Sequence, residues 1–124
     1  MESKTNSGEV YLTLDGEELI LKPTILAARG VSRQFGGFGG ALEQLGKANL
    51  DALVTIIRIG ANLDDRKARN LDQKIYDEMG RQDGAFGELL GKAIRFVAIL
   101  QNGGRPLPDD EARDAAQGDA GKNE

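Results

Sequence analysis

The chemistry open to this chain is limited first by its inventory: 124 residues with no His, no Cys and no Trp. Imidazole bases, thiol nucleophiles, disulfides and His or Cys metal sites are therefore excluded. Carboxylate, Lys, Tyr and Ser/Thr chemistry remains. Gly36, Gly37, Gly39 and Gly40 stand before a helical pattern, where glycines can turn backbone amides toward an anion. The spacing does not support a phosphate loop. Gly46–Lys47 is followed by Ala48 instead of a hydroxyl residue, Ala41 occupies the first glycine position, and Gly37–Phe38–Gly39 leads to Leu42. A helix-to-helix loop with Phe38 tucked into the core is expected there. Asp64–Asp65 and Asp109–Asp110–Glu111 lack the spacing of a calcium loop and read as solvated surface. Tyr11 and Tyr76, the two phenols, have no paired base in the sequence. No catalytic residue, cofactor-binding residue or metal ligand is assigned, and a non-enzyme is expected.

The elements that must carry any function are legible from periodicity. Val10, Leu12 and Leu14 alternate with Tyr11 and Thr13, Asp15–Gly16 is a hairpin-turn signal, and Leu19 and Leu21 resume the strand before Pro23. A lone hairpin is marginal in water, so its apolar face must be covered. Thr24 reads as the cap of a helix to Phe35 that turns Ile25, Leu26, Ala28 and Val31 toward a core. Glycines 36–40 are expected to break it. A short helix follows from Ala41 to Lys47, with Leu42 and Leu45 on one face. Asn49 then caps an apolar helix from Leu50 to Ala61, expected at the centre of the core. Leu71, Ile75 and Met79 mark a charged, exposed helix ended by Gly80 in the left-handed conformation. The last helix, Ala85 to Asn102, shows an apolar stripe of Phe86, Leu89, Leu90, Ala93, Val97 and Leu100. On it, Gly87 and Gly91 invite close approach of another helix, in the first place one of the same chain.

The expected class is therefore α+β: an N-terminal β-hairpin packed on a compact bundle of four to five α-helices. Residues 1–8 are expected to be a disordered N-terminus, 9–103 the single domain, and 104–124 a disordered acidic C-terminal tail. That tail carries a net −3 of the total −4, which leaves the body near neutral. A near-neutral body lacks the electrostatic footprint of a nucleic-acid binder. No signal peptide is visible, and neither long apolar stretch, near Ala52–Ile59 and Ala93–Leu100, could span a bilayer. No nucleic-acid or membrane partner is expected, and the cytoplasm is the expected location.

The segment from Gly8 to Thr24 (GEVYLTLDGEELILKPT) resembles the opening of the gene transfer agent tail family of alphaproteobacterial gene transfer agents and related siphophages. The order that follows is similar as well: a Gly-rich loop, a Leu-containing helix, the hydrophobic stretch Leu53 to Gly60 (LVTIIRIG) and a charged helix ending at Gly80. The resemblance spans roughly residues 8–100. Its first helix departs from the family's acidic pattern through Ala27 to Gly30. The resemblance implies a tail assembly chaperone that binds the tape measure protein, with tail tube subunits as further partners. It implies a protein of the bacterial or infected host cytoplasm, absent from the mature particle. A structural minor tail or tail tube component is the alternative, and a small regulatory DNA-binding domain the second. Candidate protein-binding residues are Phe35 and Phe38 beside the loop, Leu71 and Ile75 on the charged helix, and Gly87 and Gly91. The glycine face or the hairpin edge would serve a homo-oligomer.

Overall fold

The structure, a computed structural model, describes residues 8–108. Strands β1 (Val10–Leu14) and β2 (Glu17–Leu21) form a two-stranded antiparallel hairpin in which Val10 faces Leu21 and Leu12 faces Leu19. Asp15 and Gly16 both take positive φ, 54° and 76°, which matches the right-handed twist of the strands. Five helices follow: α1 (Ile25–Phe35), α2 (Phe38–Gly46), α3 (Leu50–Gly60), α4 (Leu71–Met79) and α5 (Ala85–Gln101). The expected α+β class is what the chain adopts.

Local chemistry sets the helix boundaries. The Thr24 hydroxyl accepts from the Ala27 amide at 3.1 Å, and Asn49 Oδ1 accepts from the Ala52 amide at 3.0 Å, each satisfying a donor that the first turn leaves orphaned. Only Gly36 and Gly37 break the chain between α1 and α2. They do so with φ of 69° and 124°, conformations costly for any residue with a Cβ. Gly39 and Gly40, expected in the loop, belong to α2, which starts three residues earlier than its leucines indicate. Gly80 is also unlike its expectation. Its φ is −91°, because the chain leaves α4 through turns in which Gly80 and Arg81 donate to Asp77 and Glu78.

The core sits where the hairpin meets α3 and α5. The α5 helix packs on α1 to α4 and on β1, while α3 packs on α1, α2, α4, α5 and β2. Helix α5 is buried on more sides than its stripe suggests. Phe96 and Ile99 lie outside that stripe, yet both are buried, and Phe96 is the largest side chain fully removed from solvent. Gly60 explains how: a Cβ there would meet Phe96 Cε2 at 2.9 Å and Leu21 Cβ at 3.1 Å, so bare backbone gives the ring its space. Gly30 does the same for Ile59, whose Cγ2 would lie 3.2 Å from an added Cβ where α1 crosses α3.

Each strand of the hairpin is tied down near the open end, away from the turn. The Lys22 amide donates to the Gly60 carbonyl at 3.0 Å, and Lys92 Nζ donates to the Tyr11 carbonyl at 2.9 Å. The domain also runs past its expected limit at residue 103. Asn102 Nδ2 donates to the Arg105 and Pro106 carbonyls, Leu107 packs on the core, and Gly8 is buried against the Gly104 backbone. Residues 8 and 104–108, expected to be disordered, thus belong to the fold, whereas the same expectation for residues 1–7 and 109–124 lies outside the described residues.

Candidate functional site

Two of the residues expected in the core are instead the most exposed large apolar side chains of the described chain. Ile25 and Leu26 are 72% and 71% exposed. Capping at Thr24 fixes where the helix begins, and α1 then turns the smaller Ala27 and Val31 inward. With ~3.6 residues per turn, Ile25 and Leu26 fall on the arc away from those two. Arg29 and Arg33 share that outer arc, and both are exposed.

The outer arc of α1 is flanked by a cleft on each side. The first, about 590 Å³, runs between α1 and the end of α5 and is lined by Pro23, Ile25, Ala28, Arg29, Phe38 and Leu100 among others. The second, about 510 Å³, lies toward β2 and the end of α3, with Ile20, Leu26, Gly30, Arg58 and Ile59 in its wall. Among the described residues, neither wall contains a carboxylate, and the charged groups in them are Lys22, Arg29, Arg33 and Arg58. Arg58 is paired with Asp65, whereas Lys22, Arg29 and Arg33 make no ion pair with other described residues. The surface is thus apolar at its centre and positive at its rim.

The residues singled out in the sequence fare unequally. Phe35 and Phe38 are half-buried against the core, and Phe38 faces the first cleft. Leu71 and Ile75 are not available to a partner. They are 3% and 0% exposed, because the four-residue stripe of α4 faces α3, α5 and β1. Gly87 and Gly91 are exposed, and a Cβ on either would meet nothing within 4 Å. No helix among the described residues lies against them, contrary to the expectation of a close partner in the same chain. Comparison with family models, curated proteins and solved structures finds no match.

The Asp64–Asp65 pair has local roles, and Asp109–Asp110–Glu111 lies outside the described residues. Asp64 Oδ1 accepts from the Lys67 amide at 2.8 Å and Asp65 pairs with Arg58, so the two carboxylates are turned to separate partners. Of the phenols, Tyr76 on α4 is 61% exposed, and Tyr11 donates to Glu9 Oε1 at 2.9 Å. That hydrogen bond, with partial burial and the nearby Glu9 and Glu18 charges, raises the Tyr11 pKa above its ordinary value of 10.0. In a Tyr76→Phe chain, ultraviolet titration is therefore expected to give a phenol midpoint above that of free tyrosine, and adding Glu9→Gln is expected to lower it. The stability this group contributes is fully present below the ordinary phenol pKa and is lost as pH rises through the raised one. A midpoint at or below that of free tyrosine would contradict the assignment.

No helix among the described residues is long and apolar enough to cross a membrane. The surface can do one thing for which the chain has the parts: receive a helix whose apolar side chains cover Ile25 and Leu26. Sequence reasoning missed it because it placed both residues in the core. The available signal was the Ala27/Val31 pair, which already supplies an inward stripe at i, i+4.

Proposed function

We propose that this protein is a non-enzymatic tail assembly chaperone of the gene transfer agent and siphophage type. It binds the helical, apolar tape measure protein in the cytoplasm, keeps it soluble, and yields it as tube subunits polymerise. The observation that carries the reading is the exposed Ile25–Leu26 pair between two open clefts, an apolar surface of the kind that receives an amphipathic helix. The resemblance of residues 8–100 supplies the identity of the client. A hairpin as the single sheet among the described residues favours this reading over a tube subunit, which needs a sheet large enough to close a ring.

Co-expression with the tape measure protein, followed by pull-down on the tagged full chain, tests it. The wild type is expected to retain the client. Ile25→Asp combined with Leu26→Asp is expected to lower retention about tenfold or more, since losing two anchors at the centre of an interface commonly exceeds ~1.4 kcal/mol. The denaturation midpoint should barely move, as both residues are exposed. No client retained by a folded wild type would remove the proposal.

A further inference from the structure

Two helix faces carry large exposed apolar groups with opposite charge around them. On α1 the face consists of Ile25, Leu26, Arg29 and Arg33. On α4 it consists of Asp72, Gln73, Tyr76 and Asp77, all exposed. At ~3.6 residues per turn each set forms one continuous arc. Asp72 accepts from the Gln73 amide and Asp77 from the Gln73 side chain, both at 2.8 Å, and neither carboxylate makes an ion pair with another described residue. The same holds for Arg29 and Arg33. Within one chain the faces do not cover each other, since Leu26 and Tyr76 remain 71% and 61% exposed.

We infer that a second copy of this chain occupies the α1 face with its α4 face. Tyr76 of the second copy lies over Ile25 and Leu26 at the mouth of the 590 Å³ cleft, and its Asp72 and Asp77 pair with Arg29 and Arg33. An aromatic ring beside guanidinium groups adds a cation–π attraction. The charges select this pairing over the two symmetric ones. Two α1 faces together would oppose four arginines with no carboxylate, and two α4 faces would oppose four aspartates. Because the two contacting surfaces differ, copies pair either reciprocally in a closed dimer or head to tail into a ring or a short filament. One helix pair buries less than the ~1,200 Å² of a standard interface, so the association is weak and depends on concentration. Resting on the function proposed above, the same face serves the client, so copies and client exclude one another.

Sedimentation of the full chain across a concentration series tests the contact. The wild type is expected to gain mass beyond a monomer as concentration rises, and to lose it with added salt. R29E/R33E and D72K/D77K chains, with circular dichroism confirming their fold, are each expected to stay monomeric, at least ~tenfold weaker in association. An equal mixture of the two is informative. Each keeps one working face, so the Asp72/Asp77 face of the first variant meets the Arg29/Arg33 face of the second and growth stops at a heterodimer. The chain carrying all four reversals should associate again. A wild type that stays monomeric, association that survives both reversals, or a mixture that stays monomeric would each overturn the contact. So would a monomeric wild type whose α1 amide resonances shift on removal of residues 109–124, which would assign the face to the chain's own acidic segment. Self-association in this pattern without retention of the tape measure protein would leave the contact standing and remove the chaperone reading.

Discussion

Truncating Phe96 to alanine is expected to cost ~3–5 kcal/mol, the largest stability loss of any single side chain in the domain. The ring is fully buried on α5, the helix that packs on every other helix and on β1. Its edge lies against Gly60, where no side chain is present to relax into the space the ring would leave. Leu21 and α3 are held by the Lys22–Gly60 hydrogen bond, so collapse is opposed from that side too. A domain of this size has only ~5–15 kcal/mol of net stability, so the variant would lose about a fifth of it or more. Urea denaturation should show a lower midpoint at an unchanged slope. A loss under ~1 kcal/mol would mean that the ring does not anchor the core.

Gly40→Ala is expected to destabilise by ~1–3 kcal/mol or more, although alanine is the better helix former by up to ~1 kcal/mol. A methyl group at Gly40 would run into the Phe35 carbonyl, with the carbonyl carbon 3.2 Å away. That obstacle is backbone at the end of α1, so the α1–α2 corner itself must open. Gly39→Ala is the control. Its Cβ meets nothing within 4 Å and its φ is not positive, so the substitution should be neutral or stabilise by a few tenths of a kcal/mol. Opposite signs at adjacent glycines, read from denaturation midpoints, would establish that the corner is set by backbone contact. Equal signs would show that it is not.

That corner also shows where sequence reasoning runs out. Four glycines in five positions read as a loop because glycine is a poor helix former. Two of them do turn the chain, but Gly40 is helical and is there for a close approach between two helices. No local pattern reports such an approach, since it depends on how α1 and α2 cross. The same holds at Gly60 and Gly30, whose missing side chains make room for Phe96 and Ile59. The candidate surface was legible in part. Phe38, a candidate contact beside the loop, does line a cleft, while Leu71 and Ile75, candidates on the charged helix, are covered by α3, α5 and β1. A leucine and an isoleucine four residues apart on a charged helix look alike whether the stripe faces its own core or another chain.

By itself the sequence determined the hairpin, its Asp15–Gly16 turn, the Thr24 and Asn49 caps, the five helices and the exclusion of His and Cys chemistry. These depend on interactions within a few residues, or on inventory alone. Tertiary structure alone decided which apolar residues are spared burial. Ile25 and Leu26 have the same composition signal as Leu53 and Ile57, but α1 is anchored through Ala27 and Val31 against α2, α3 and α5, and its first turn is left facing solvent. Burial is a property of what packs opposite a residue, and that partner lies far away in the chain.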